Sequence, residues 1–349
     1  MNKRVSIFAI ALIVVGIIGS VWTGLDAVPA VINFALEKEE ESNREHRIYE
    51  KNVEVNNISA YTQFTNIQIK KHDEKTVKVT RRGNDPAVNY TIKENGNTLE
   101  IKESINNSYK NYKVKNFEDL FNKGMDEMFS RYDKDIIVYV PNDVDINSVT
   151  EGGNLFIKDD VFLNNISFKT RYGSFISGVN PKEKFILDKL EIVSSEGISL
   201  KPTELLGIKN IKIDALSVNI HSDNEDILVN NAERFIADNM DITQYKGEVA
   251  NGSSINIESN IPIAKNLNID SIGSDVELKL PIKDYKFNFN MNSNEIIDLS
   301  HLFENSVLSR DGKFKDNNLK QINGVLNEKL LNLENQYNVN INAKAINIH

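Results

Sequence analysis

From Glu54 to the C-terminus, apolar residues recur at every second position in short bursts, and this limits the possible folds more than any other property of the chain. Ile67-Gln68-Ile69, Val77-Lys78-Val79 and Leu99-Glu100-Ile101 each put their apolar side chains on one face of an extended segment. Ile136-Ile137-Val138-Tyr139-Val140 is denser and stops at Pro141, which removes a ladder donor. Leu155-Phe156-Ile157, Ile166-Ser167-Phe168 and Ile255-Asn256-Ile257 continue the series. Strands so short and so many, separated by Asn, Asp, Gly and Ser, predict a mainly β fold.

Spacing narrows the architecture. Leu190-Glu191-Ile192 and Ile198-Ser199-Leu200 align with Ile211-Lys212-Ile213 and Val218-Asn219-Ile220, one repeat of roughly 20 residues later. Leu267-Asn268-Ile269 and Val276-Glu277-Leu278 give a third copy. Each repeat then forms one coil of a parallel β-solenoid and stacks its apolar row on that of its neighbour. The abundant asparagines are assigned to corners, where left-handed backbone costs Asn and Gly least. A β-sandwich is the alternative, because the repeats are degenerate.

Two segments follow helical spacing instead. Phe117, Leu120, Phe121, Met125, Met128 and Phe129 form one stripe; Leu319, Ile322, Val325, Leu326, Leu330 and Leu333 form another. Both are read as added amphipathic helices that cover the ends of the solenoid. For the first, a seat on the membrane is the other reading, but Glu118, Asp119, Asp126 and Glu127 make its polar face acidic.

Ahead of the strands, Val5 to Trp22 carries no charge. As a helix it spans roughly 27 Å, about the hydrocarbon thickness of a bilayer. Lys3 and Arg4 precede it and Glu37, Glu39, Glu40 and Glu41 follow, which places the N-terminus in the cytoplasm and the remainder outside. The expected organisation is a single-pass transmembrane anchor over 1–25, a charged juxtamembrane stalk over 26–52 and the solenoid over 53–349. A cleaved signal peptide ending at Val28-Pro29-Ala30 competes with the anchor, against an apolar run longer than a signal sequence requires. Either way the β domain is exported.

A net charge of −9 and spread-out lysines argue against nucleic acid as a partner. With no cysteine there is no disulfide, thiolate metal site or cysteine nucleophile. Histidines 46, 72, 221, 301 and 349 stand at no metal-ligand spacing, and Gly152-Gly153 lacks what a phosphate loop needs. Asp223, Glu225 and Asp226, just after His221, are the most site-like cluster; without the glycine and distal Glu of a calcium loop they read better as a solvated turn. No catalytic residue and no cofactor site is assigned.

This arrangement resembles the "putative adhesin" β-strand-repeat family of bacterial, largely Gram-positive, envelope proteins. The resemblance rests on Phe64-Thr65-Asn66-Ile67-Gln68-Ile69, Asn97-Thr98-Leu99-Glu100-Ile101, the strand ending Val140-Pro141, and Ser274-Asp275-Val276-Glu277-Leu278-Lys279-Leu280-Pro281. Ser274-Asp275 lacks the glycine usual at that corner. The resemblance implies a parallel β-solenoid, no known enzymatic activity and no established ligand; some relatives are encoded beside envelope-stress regulators.

The functional expectation is a membrane-anchored, outward-facing, non-enzymatic interaction module. Its partners would be the bilayer, through Val5 to Trp22, and a cell-surface glycan or an envelope protein. An accessory of envelope-stress sensing that acts through the span is the alternative. A binding face calls for aligned aromatics, with Tyr172, Tyr245 and Tyr285 as candidates.

Overall fold

Period-two alternation becomes strand along the described chain. The computed structural model describes residues 44–51, 55–72, 76–82, 88–105, 135–158, 161–178, 184–222, 232–244, 253–282, 285–299, 315–317, 320–326 and 336–349, with scattered positions between 33 and 43. The first strands are β1 (Glu45–Lys51), β2 (Asn57–Thr62), β3 (Asn66–Lys71), β4 (Val77–Arg82) and the hairpin β5 (Val88–Asn95) and β6 (Thr98–Ile105). Then come β7 (Asp135–Val140), β8 (Val144–Thr150), β9 (Leu155–Ile157), β10 (Leu163–Thr170), β11 (Phe175–Ser177), β12 (Leu187–Leu200) and β13 (Ile208–His221). The last are β14 (Ala237–Gln244), β15 (Ser254–Glu258), β16 (Ala264–Lys279), β17 (Lys286–Ser293), β18 (Ile297–Asp298), β19 (Lys315–Asn317), β20 (Gln321–Leu326) and β21 (Gln336–Ile348). The protein is mainly β.

Two compact units divide the chain. In the smaller (Met1–His46, Arg82–Pro86, Lys110–Lys134), Arg44 pairs with Glu40 at 3.5 Å. The larger (Arg47–Arg81, Ala87–Tyr109, Asp135–His349) holds the core described next.

A six-stranded sheet runs β1-β4-β7-β3-β9-β11, and a fifteen-stranded sheet has the path β19-β20-β17-β21-β16-β14-β13-β12-β10-β8-β2-β6-β5. From β2 to β17 along that path every pairing is parallel, which excludes the antiparallel sandwich. The aligned repeats meet in the expected register: Leu190 faces Ile211, Ile192 faces Ile213, Ile198 faces Val218 and Leu200 faces Ile220.

Register makes columns. Ile58, Ile146, Ile166, Leu190, Ile211, Met240, Leu267, Val339 and Phe289 are successive partners, and none is more than 2% exposed. Beside them run Ala60, Ser148, Phe168, Ile192, Ile213, Ile242, Ile269, Ile341 and Met291. Phe168 fits that second column because Ser148 and Ala60 below it are small. Burying one Ile or Leu stabilises by roughly 1.5–3 kcal/mol, whereas an exposed ion pair such as Lys212–Glu191 (3.0 Å) gives at most about 1 kcal/mol. The inward columns hold the fold.

The outward columns explain the asparagines, and here the corner assignment is corrected. Asn210, Asn239, Asn266, Asn338 and Asn288 stand in register mid-strand. Each donates its carboxamide to the next: Asn239 to Asn210 (2.9 Å), Asn266 to Asn239 (3.1 Å), Asn338 to Asn266 (2.8 Å) and Asn288 to Asn338 (3.2 Å). A second ladder joins Asn340 to Asn268 (2.8 Å) and Asn268 to Asp241 (2.7 Å). Identical amides one strand apart satisfy each other. Among the described residues the only non-glycine with positive φ is Asp143, so no described corner uses a left-handed asparagine.

One end of the larger sheet also differs from expectation. The segment read as a helix over Leu319–Leu333 contains strand β20, antiparallel to β17, with Ile322 on Met291 and Leu326 on Phe287. Ile322 and Leu326 are four residues apart, a spacing that satisfies both a helix turn and a strand face, so periodicity alone misled. At this end Tyr285 meets Tyr337 edge-on at 5.5 Å and Phe287 stacks on Phe289 at 5.8 Å. At the other end the β5–β6 hairpin pairs antiparallel, and Tyr49, Tyr90 and Ile92 pack on the core. Strand β20 takes the place of the second expected helix. Strand β1 lies inside the stretch read as a stalk and borders β4. The Phe117–Phe129 stripe and the run Val5–Trp22 lie outside the described residues; among those described, no helix is long and apolar enough to cross a membrane.

Candidate functional site

Where successive coils turn, the sequence repeats a small motif: Thr62-Gln-Phe-Thr65, Thr150-Glu-Gly-Gly153, Thr170-Arg-Tyr-Gly173 and Ser194-Ser-Glu-Gly197. At two of these corners the first-position hydroxyl closes the turn on the N–H three residues on. Thr150 Oγ1 accepts the Gly153 N–H (2.8 Å) and donates to the Gln63 carbonyl (3.1 Å), and Thr170 Oγ1 accepts the Gly173 N–H (2.6 Å). At the Gly153 and Gly173 corners the last position must be small because the coils touch there. A Cβ on Gly153 would sit 2.1 Å from the Thr65 oxygen, and one on Gly173 2.1 Å from the Gly153 oxygen.

The third position points outward. It places Phe64 and Tyr172 on the surface, each 58% exposed, with Gly152 between them. The Phe64 ring fills the space a side chain at 152 would need, its edge 3.0 Å from that Cβ position. Arg171 lies over the Tyr172 ring at 4.8 Å and pairs with Glu151 (3.4 Å) and Glu196 (3.5 Å).

Tyr172 also stands at the head of an open groove of about 340 Å³. Gly197, Ser217 and Ser254 form a floor of small residues in successive coils. Ser199, Asn219 and Asn256 form the row beside it, in register on β12, β13 and β15. Gly173 and Gly197 hollow the corner because they project nothing into it. Every polar side chain in this lining is a hydroxyl or a carboxamide.

The family model that matches this chain is described as Toastrack DUF4097 and covers residues 55–324. The chain belongs to the Toastrack DUF4097 family. No curated protein matches it. Among solved structures, a Bacteroides fragilis protein described as a "putative adhesin" has TM-score 0.39 and 13% identity, covering 88% of this chain and 99% of that one. A Clostridium sporogenes "putative cell adhesion protein" has TM-score 0.20 and 12% identity, covering 87% of this chain and 98% of that one. A Parabacteroides distasonis "putative lipid binding protein" has TM-score 0.34 and 13% identity, covering 68% and 89%. Likeness at this level assigns neither ligand nor role to this Toastrack chain.

Of the two described tyrosines proposed as a row, Tyr172 is exposed and Tyr285 is not. Tyr285 is buried against Tyr337, and Tyr245 lies outside the described residues, as do Asp223, Glu225 and Asp226. His221 sits 3.0 Å from Glu258, and His349 3.2 Å from Glu277. Among the described residues no three His, Asp or Glu side chains converge as metal ligands. From the sequence of this Toastrack member, Phe64 was read only as part of a strand motif and Gly153 only as half of an isolated pair, and the Ser199–Asn219–Asn256 row was not singled out. The Thr/Ser-x-x-Gly recurrence was the signal that could have found the corner.

Proposed function

We propose that this Toastrack protein is a membrane-anchored, outward-facing, non-enzymatic interaction module that meets its partner through the groove headed by Tyr172. The observation that carries the proposal is that groove: an exposed ring and a row of neutral polar side chains on rigid, in-register strands. Hydroxyls and carboxamides hold a ligand by hydrogen bonds without moving protons near neutral pH, which favours binding over chemistry. Anchoring and orientation are supported by the uncharged run Val5–Trp22 behind Lys3 and Arg4. An adhesin-like role fits a module of this kind.

The test uses intact cells that express the full chain. Protease added outside should cut the β domain of the wild type, and binding of the cells to isolated envelope material should fall for Tyr172→Ala. Protection of everything after Glu37, or binding indifferent to Tyr172, would overturn the proposal.

A further inference from the structure

The groove has a chemical preference that can be read from its walls. We infer that it takes a neutral polysaccharide chain, laid across the coils with a sugar ring on Tyr172 and its hydroxyls against Ser199, Asn219 and Asn256. The inference rests on the binding role proposed above and names the ligand class.

Three features carry it. First, the wall is bifunctional: a serine hydroxyl donates and accepts, the Asn219 carboxamide offers both a carbonyl and an N–H₂, and Asn256, whose amide donates to Ser254 Oγ (3.2 Å), keeps its carbonyl and one N–H, matching the mixed demand of sugar hydroxyls. Ser199 and Asn219 are exposed and hydrogen-bond to no other described residue through their side chains, so those groups face solvent. Second, the wall is periodic. Ser199 opposes Asn219 and Asn219 opposes Asn256, one strand spacing of roughly 4.8 Å per step. Such a row suits a polymer with a regular repeat better than a compact ligand. Third, Tyr172 is an exposed ring beside a polar row; Arg171 lies over one face, and the other suits the C–H face of a pyranose.

Other extended ligands fit less well. A peptide strand docks through its backbone on a sheet edge, whereas Ser199, Asn219 and Asn256 offer side chains on the outer face of the sheet, and β13 is paired with β12 and β15 there. The edge that Gly197–Leu200 leaves where pairing with β10 ends at Ser194 is a separate feature. A polyanion needs cations, but the groove lining has none, and Arg171 at its rim is already paired with Glu151 and Glu196.

The groove also has a built-in control. A Cβ on Gly197 would come no nearer than 3.6 Å to the Ser217 oxygen, so a side chain there fills the floor without a clash at its root. Purified full-length protein in detergent is assayed against immobilised neutral glycans (an unsubstituted glucan, a mannan, an N-acetylglucosamine polymer) and against an anionic polyphosphate. The inference predicts that at least one neutral polymer binds. It also predicts that Tyr172→Ala and Gly197→Leu weaken that binding by about tenfold or more at unchanged melting temperature, and that Tyr172→Phe keeps it. Binding only to polyphosphate, or neutral-glycan binding insensitive to both groove variants, overturns the inference, as does no glycan binding at all. If glycans fail while cells still bind envelope material in a Tyr172-dependent way, the ligand class is wrong and the interaction role stands. If that cell binding also ignores Tyr172, both fall.

Discussion

Gly173 lies directly against the carbonyl of Gly153 in the preceding coil, so close that a methyl group would stand 2.1 Å from its oxygen. No side-chain rotation relieves such a contact, because both partners are backbone. Gly173→Ala should therefore cost about 3 kcal/mol, the upper end of what overpacking with a forced backbone shift typically costs. Gly197 occupies the matching position one coil on and has ordinary van der Waals room, with 3.6 Å to its nearest neighbour. Gly197→Ala should fall within about 1 kcal/mol of the wild type, since lost chain entropy in the unfolded state offsets any small strain. Urea unfolding of the two variants side by side checks the contrast. Equal effects would mean that the corners do not stack as described.

The asparagine ladder gives a second expectation. Asn266 donates to Asn239 (3.1 Å) and to the Asp238 carbonyl (3.0 Å), and accepts from Asn338 (2.8 Å). Asn266→Ala removes these bonds and leaves its partners short, at about 1–2 kcal/mol for a partly buried amide. Asn288, at the end of the ladder, gives one carboxamide bond to Asn338 (3.2 Å), and its alanine variant should cost about half as much. Denaturant midpoints at constant slope are the measurement. A larger loss at Asn288 than at Asn266 would contradict the ladder.

Ser148 runs the other way. Its hydroxyl is fully buried in an otherwise almost entirely apolar column and finds no partner among the described residues. Ser148→Ala should stabilise by about 1 kcal/mol, because it removes an unsatisfied polar atom while the void it leaves is small. Thermal unfolding should show a raised midpoint; a lowered one would mean that the hydroxyl is bonded.

Tyr49 supplies a pH dependence. Burial, then its hydrogen bond to Glu94 (2.9 Å) and the charge of that carboxylate, push the phenol up to about 12 from 10.0. The protonated form is the one the fold favours. Stability from Tyr49 is thus complete below pH 10 and is lost as pH rises from about 10 to about 12. Subtracting the ultraviolet tyrosinate titration of Tyr49→Phe from that of the wild type should leave one transition near the upper value. A difference centred at the ordinary tyrosine value would remove this interaction from the account.

Much of the β framework was legible because alternation and burial share one cause. Ile192 and Ile213, or Leu200 and Ile220, are apolar at period two because they face the same interior, and their spacing sets their register. What stayed hidden lies where two structures have the same pattern or where partners are distant in sequence. Ile322 and Leu326 suit a helix and a strand equally, and only their pairing with Met291 and Phe287 decides. Asn266 and Asn338 meet because β21 inserts between β16 and β17, an ordering that local sequence does not encode. Tyr172 and Tyr285 are both aromatic candidates by eye, but one is at an outward corner and the other in the core. The groove was invisible for the same reason: Ser199, Asn219 and Asn256 become a row only once three coils are stacked.

Ladder, corner and groove all require that neighbouring coils run parallel in the register seen between β12 and β13. The cysteine-free chain allows this to be tested by oxidation of paired cysteines. Ser199→Cys with Asn219→Cys puts thiols on directly opposed residues, roughly 4.8 Å apart across the strands and within disulfide reach. Ser199→Cys with His221→Cys is displaced by two residues along the strand, roughly 8 Å apart and out of reach. Rapid, near-complete bridging of the first pair with little in the second is the predicted result. Preferential bridging of the second pair, or of neither, would contradict the stacked-coil account.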